Sequence, residues 1–292
     1  MIKRTPLQNA FTVVNTAVLA ALALVTLYPL LYVVLASFSN PTLFAKHTGP
    51  LFWTQGFSLD AYKVVLEKPE ILTGYGNTLF YVVVGTAVNM AFTISLAYVT
   101  SRPGLLLNKP IMLLIIFTMY FNGGLIPTYL LVQDLGLVDT RWAPILPTAI
   151  STFNLIILRT GFAGVPVSLE EAAKIDGASP FRIMVKIIFP LAMPTIAVIV
   201  LYYAVQHWNS WFQEMIYLRD DDLYPLQLFL RQILIENQQD DMVMATKTAD
   251  QQALGEIIKY STIIVSTVPI LLVYPFLQKY FTKGVMIGAV KG

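Results

Sequence analysis

The side chains able to do chemistry gather in two places. One is the hydrophilic stretch Ser168–Pro190, which opens Ser-Leu-Glu-Glu-Ala-Ala-Lys-Ile-Asp-Gly-Ala-Ser-Pro-Phe-Arg. The other is the run Gln206, His207, Trp208, Asn209, Trp211, Gln213 and Glu214. Neither has the spacing of a catalytic set. No His/Glu pair is placed as in a zincin helix, no Ser/His/Asp group converges, and no Gly-x-x-x-x-Gly-Lys-Ser/Thr loop is present to cradle a nucleotide. The chain has no cysteine, which excludes disulfides, thiolate metal sites and cysteine nucleophiles. The first cluster, with charges beside small alanines, suits a surface gripped by a soluble partner. The second offers neutral hydrogen-bonding groups beside aromatic faces.

The first cluster must be carried by two short helices. Ser168 with Glu171 three residues on predicts a capping box and a helix start. Gly177 predicts the left-handed residue that ends it. Ser179 is then a new N-cap with Pro180 at the favoured first position, and Pro190 is expected to close the second helix. Arg182 and Lys186 fall on its polar side, and Ala172 and Ala173 leave room for close approach.

The rest of the chain predicts a membrane domain. Of 292 residues, 56% are hydrophobic and only 12% charged, giving a mean hydropathy of +0.66. Six stretches without charged residues approach the ~20 apolar residues that a spanning helix needs: Phe11–Phe38, Asn77–Thr100, Ile111–Val132, Trp142–Leu158, Leu191–Gln213 and Tyr260–Gln278. The first is too long and lacks the cleavage site of a signal peptide. The fourth is short and begins with Pro144 and Pro147. The expected fold is an all-α polytopic membrane protein, one domain over residues 1–292, with six transmembrane helices. A two-helix segment (about 165–190) and an outer polar loop (about 214–259) complete it.

Lys and Arg set the orientation. Residues 1–10, 101–110, 159–190 and 279–292 hold 11 of them in 66 residues; 39–76, 133–141 and 214–259 hold 8 in 93. Positive charge is denser in the first group, which is therefore cytoplasmic, both termini and the two-helix segment included. The net charge of +2 carries no argument for nucleic acid. Within the spans His207 is the lone ionisable residue, with Glu214 at an outer edge. Ion-coupled carriers rely on intramembrane charges, so any transport here draws its energy from elsewhere.

These residues carry a resemblance. Glu171-Ala172-Ala173, three residues, Gly177, nine residues, Ile187, one residue, Phe189 and Pro190 resemble the EAA signature of permease subunits in binding-protein-dependent ABC importers. Phe189 stands where the family usually has Leu; Asp176-Gly177-Ala178 and Pro194 fit its usual continuation. Phe121-Asn122-Gly123-Gly124-Leu125-Ile126-Pro127-Thr128-Tyr129 and the tail from Lys283 to Gly292 resemble the carbohydrate-importing branch, in particular permeases for complex oligosaccharides similar to the smaller maltose-importer permease. The resemblance implies a subunit of the bacterial cytoplasmic membrane that pairs with a second, homologous permease. Two ATPase subunits binding ATP and Mg sit below and an extracytoplasmic sugar-binding protein above; this chain itself needs no cofactor or metal. It further implies that Glu170, Glu171, Ala172, Ala173, Asp176, Gly177, Ala178, Phe181 and Pro190 belong to the ATPase-coupling segment. The tail residues Gly284, Gly288, Lys291 and Gly292 would contact the ATPases as well.

Several assignments stay open on the residues alone. Ser168–Pro190 could instead lie on the lipid surface, although its basic face is thin for that. Asn122, Gly123, Gly124 and Pro127 mark either a packing kink or an unwound stretch lining a transport path. On the fifth span, Gln206, Asn209 and Gln213 fall on one helical stripe, with Trp208 and Trp211 on the next. That pattern suits a sugar path, amides satisfying hydroxyls and indoles stacking on pyranose rings; an interfacial aromatic belt is the alternative. Ala204 and Phe212 are expected on the lipid side, and Asn89 and Asn154 as interhelical hydrogen-bond partners. The expected function is sugar import driven by separate ATPases. The alternatives are a related permease for peptides or polyamines, or an ion-coupled carrier.

Overall fold

The computed structural model describes residues 6–104, 106–242 and 254–272. In chain order its helices are α1 (Pro6–Ser37), α2 (Pro41–Ala45), α3 (Asp60–Leu66), α4 (Pro69–Ser101), α5 (Asn108–Tyr120), α6 (Leu125–Asp134), α7 (Thr152–Ala163), α8 (Val167–Ile175), α9 (Pro180–Trp208), α10 (Phe212–Tyr217), α11 (Leu226–Met242) and α12 (Leu254–Leu272). The only strand-like pairing among the described residues is a single bridge, Ser39 to Phe57. Among the described residues four helices, α1, α4, α9 and α12, are long and apolar enough to cross a membrane, and up to six spans result if the bent pairs α5–α6 and α7–α8 each supply one. The protein is an all-α polytopic membrane protein.

The chain divides into two compact units: Met1–Pro69 with Leu230–Val268, and Glu70–Phe229 with Pro269–Gly292. In the first, α1 runs 32 residues, about 48 Å at ~1.5 Å per residue, and buries only Ala36 and Ser37 near its end. There Tyr32 meets Tyr260 of α12 edge-on at 5.7 Å. Asn40 caps α2, its Oδ1 accepting from the backbone N–H of Thr42 and Leu43 ahead of Pro41. Ala36, Phe44, Leu51, Ala61 and Ile257 form the core.

In the second unit α4, α7 and α9 pack together through Met90, Ala97, Leu155, Leu158, Phe162, Ile188, Ile196, Ile199 and Tyr203. Gly161 brings α7 close to α9, since a β-carbon there would lie 2.8 Å from the Thr195 side chain. Buried polar groups close the remaining gaps: Tyr203 Oη and Thr93 Oγ1 are 2.7 Å apart, and Tyr203 Oη accepts from Ser151 N–H at 3.0 Å.

Three expected spans take a different form. The third is not one helix. Phe121 is extended and Gly124 has φ +86°, and α5 and α6 meet at 112°. The break is therefore an unwound stretch rather than a packing kink. Asn122 Oδ1 accepts from Gly124 N–H at 3.0 Å, and only a glycine adopts that φ without strain. The fourth is helical from Thr152 only, because Pro144 and Pro147 hold residues 142–151 in turns and a short 3-10 segment. Such backbone persists at membrane depth only when its polar groups are satisfied by protein; Asn89 Nδ2 donates to Thr148 O at 2.6 Å and Tyr203 serves Ser151.

The fifth begins well before Leu191 and ends at Trp208. Pro190 does not close the preceding helix. A π-turn at Met184–Ile188 lies just before it, widening the spiral where proline offers no N–H, and α9 continues through Pro190 and Pro194. The stretch 214–259, expected as a polar loop, also carries α10 and α11, with Leu226, Leu228 and Phe229 buried.

Candidate functional site: a docking elbow and a polar cavity

The segment 167–181 forms an elbow. α8 starts at Val167 with Pro166 in the cap position and no side-chain cap. The Ser168/Glu171 capping box does not form, because Pro166 takes the cap position two residues early and Ser168 falls inside the helix. Its far end is as the sequence predicts. Gly177 has φ +76°, and its N–H and that of Ala178 donate to Lys174 O at 3.0 Å and Ala173 O at 2.9 Å, the Schellman arrangement. Ser179 Oγ then accepts from Arg182 N–H, and Pro180 opens α9.

The elbow presents two unlike faces. Glu171, Ala172, Asp176, Gly177 and Pro190 are exposed. So are Ile175 (87%) and Phe181 (71%), large apolar side chains left in the open. Ala173 and Ala178 are partly buried against the α4/α7/α9 core. Glu170 is turned fully inward: its Oε2 accepts from Arg102 Nη1 at 3.0 Å and its Oε1 from Lys174 Nζ at 3.0 Å. Burial pushes its carboxyl up, but the hydrogen bonds from Lys174 and Arg102 outweigh that and hold it below the usual glutamate range. Sequence reasoning passed over Arg102 and Ile175. An arginine directly after an apolar span, and an isoleucine inside a charged segment, were the available signals.

The second cluster does not lie on one helix. α9 ends at Trp208, Asn209 caps it by donating from Nδ2 to Val205 O at 2.9 Å, and α10 starts at Phe212. The stripe Gln206–Asn209–Gln213 is thus broken as a helical face, because the chain turns at Asn209–Trp211. The turn nevertheless gathers these groups around one cavity of about 240 Å³, lined by Gln206, His207, Asn209, Ser210, Trp211, Phe212 and Gln213, with Pro144 and Thr148 opposite. Phe212, expected on the lipid side, lines the same cavity. Trp208 does not: it is buried and packs on Tyr75 at 6.5 Å. His207 is held by Asn89, whose Oδ1 accepts from Nε2 at 2.7 Å; Asn89 thus joins α4, α9 and the irregular segment. Asn122, Gly123 and Gly124 are exposed at the α5–α6 break, away from this cavity's lining. Among the described residues no group of three His, Asp or Glu could hold a metal. Gly284, Gly288, Lys291 and Gly292 lie outside the described residues.

Residues 89–285 match the profile of the inner membrane component of binding-protein-dependent transport systems. The chain belongs to that family. Among similar proteins, the polygalacturonan/rhamnogalacturonan transport system permease YtcP of Bacillus subtilis is 44% identical over 92% of this chain and 94% of its own length. Protein LplC of the same organism is 42% identical over 97% of this chain and 96% of its own. A crystal structure of a bacterial ABC transporter involved in importing the acidic polysaccharide alginate contains a chain that superposes with a TM-score of 0.85 at 31% identity, covering 96% of this chain and all of that one. As a member of this family, the chain is a membrane permease component of a transport system.

Proposed function

We propose that this permease is one transmembrane half of an ATP-driven importer of oligosaccharides, acting as a single transport domain in the cytoplasmic membrane. It works with a second, homologous permease, two ATPase subunits that bind ATP and Mg, and an extracytoplasmic sugar-binding protein. Both termini and the elbow face the cytoplasm, as the Lys/Arg distribution favours. The observation that carries the reading is the elbow itself: Ile175 and Phe181 stand exposed beside Glu171 and Asp176, an apolar knob with charged flanks of the kind a partner's cleft takes up. For the tail Gly284–Gly292, a role at the same ATPases rests on the family resemblance alone.

The sugar passes the cavity lined by Gln206, Asn209, Trp211 and Gln213 and the break at Asn122–Gly124. Neutral amides there bind hydroxyls without bringing a charge into the membrane. Both a polygalacturonan/rhamnogalacturonan permease and an alginate importer are among its likenesses, so uronate-containing oligosaccharides are the proposed cargo. ATP binding closes the ATPases, the elbow is displaced, and the two permeases rock from inward- to outward-facing. Uptake of labelled oligogalacturonides should stop when ATP is depleted with the ion gradients held, and excess neutral maltooligosaccharide should compete poorly. Uptake that survives ATP depletion contradicts the motor assignment, and equal competition contradicts the cargo.

A further inference from the structure

α8 is attached to the rest of the protein in an unusual way. Of its nine residues the only buried one is Glu170, an acid rather than an apolar residue. Its hold on the second unit therefore runs mainly through one carboxylate, helped by the small side chains of Ala173 and Ala178 beyond the helix centre. The partner is Arg102, the residue that ends α4 in an extended conformation and is itself 9% exposed.

Arg102 meets three elements at once. Nη1 donates to Glu170 Oε2 at 3.0 Å, Nη2 donates to the carbonyl of Phe162 in the last turn of α7, and Nε donates to Ser101 Oγ at 3.1 Å. Its guanidinium lies 5.8 Å from the Tyr98 ring, whose hydroxyl donates to Pro180 O at the start of α9. Arg159 Nε and Asn108 Nδ2 both donate to Thr100 O beside it, at 3.0 and 2.9 Å. Between α7 and α8 the chain turns by 67° across Gly164–Pro166, so without Arg102 the short turns at its two ends, this one and the Gly177 turn into α9, are the main constraints on how α8 is tilted.

We infer that Arg102 is a positioning residue for energy coupling: through Glu170 it fixes α8 to the end of span α4, so that elbow and span move as one body. A planar guanidinium with several fixed donors sets direction as well as distance, which apolar contact by alanines does not. The inference rests on the elbow being the docking site, but the rigid link it describes is a property of this chain alone. Such a link turns displacement of a surface helix into displacement of a membrane helix. The apolar knob of Ile175 and Phe181 then touches the partner while the buried pair transmits.

The absence of cysteine allows a direct test in the assembled transporter. Spin labels at Val99→Cys on α4 and Ser168→Cys on α8, both exposed positions and neither in the proposed docking set, report the distance between the two helices. With Arg102 present the distribution should be narrow and the same in the nucleotide-free and vanadate-trapped states. A distance that changes between those states overturns the inference without any further variant.

Removing one partner alone strands a buried charge and can prevent folding, whereas an apolar pair of similar size is often tolerated. The informative variant is therefore Arg102→Met with Glu170→Leu. It should assemble, broaden the distance distribution, and lower uptake per ATP hydrolysed by about 2- to 30-fold, the usual range for residues along a coupling network. A double variant that keeps both the narrow distribution and normal coupling overturns the inference. If the elbow were not the docking site, Phe181→Cys would fail to cross-link to the ATPases while the wild-type distance stayed fixed, so the two failures are distinguishable.

Discussion

The His207 ring occupies the space where a β-carbon on Gly85 would stand, with Nε2 only 2.5 Å from that position. Gly85 closes a π-turn, Tyr81–Gly85, in α4, and the ring cannot retreat because Asn89 holds its Nε2 at 2.7 Å. Close approach of α4 and α9 beside the cavity thus depends on a residue without a side chain. Gly85→Ala should destabilise the protein by about 1–3 kcal/mol, the usual cost of overpacking. Thermal unfolding of the purified protein measures this. Adding His207→Ala should recover only part of the loss, since Asn89 Oδ1 is then left without its donor.

At the elbow, Gly177 matters for its backbone and not for space. It has φ +76°, and nothing lies within 4 Å of where a β-carbon would be. A branched residue there should cost about 1–2 kcal/mol of local strain, while Asn tolerates the conformation. Gly177→Asn should keep most of the sugar-stimulated ATP hydrolysis and Gly177→Val should lose it, with equal membrane insertion of both by immunoblot. Equal activity of the two would mean that the turn does not set the elbow's geometry for coupling.

The cavity predicts an accessibility pattern. Single cysteines at 206, 209, 212 and 213 should all react with a small polar maleimide, whereas one at 208, buried against Tyr75, should not. Gln213→Leu should weaken uptake several-fold and leave basal ATP hydrolysis unchanged, since the motor lies in other chains. Gln213 is a cleaner probe than Asn209, which also caps α9.

Much of this was legible in the sequence, and the misses share a cause. Gly177 and the Ser179-Pro180 start are local signals, and the elbow formed where they pointed. The spans at α1 and α12 were found because lipid selects for apolar length. The break at Asn122–Gly124 is one of the two forms that its glycines and Pro127 allow; the other irregularities were not legible. Proline usually ends a helix, yet a π-turn at Met184–Ile188 carries α9 past Pro190. The spacing of Gln206, Asn209 and Gln213 predicts one helical stripe, whereas the helix ends at Asn209. Whether a side chain such as Asn89 will satisfy an unwound carbonyl is a tertiary fact, so the short fourth helix could not be read from Trp142–Leu158. Likewise Glu170 and Glu171 are identical in type and adjacent, and only packing decides that Glu170 turns in to Arg102.

The Arg102–Glu170 pair also predicts a pH dependence. Glu170 titrates below the usual glutamate range in the folded protein because of Lys174 and Arg102. Its contribution to stability is therefore complete above the ordinary carboxylate pKa of about 4.3 and is lost as pH falls through the lower folded value. The melting temperature of the wild type should drop on acidification across that range, and Glu170→Gln should start lower and drop less. Parallel curves would remove the pair as the source.

The central claim, that the elbow faces the cytoplasm and seats on a separate ATPase, is tested most directly by a single cysteine at Phe181 in this cysteine-free chain. The account predicts no labelling by an impermeant maleimide added outside intact cells. It predicts strong labelling in inside-out vesicles stripped of ATPase, and protection with cross-linking to the ATPase once those subunits are restored. Labelling from outside, or equal labelling with and without the ATPase, would contradict it.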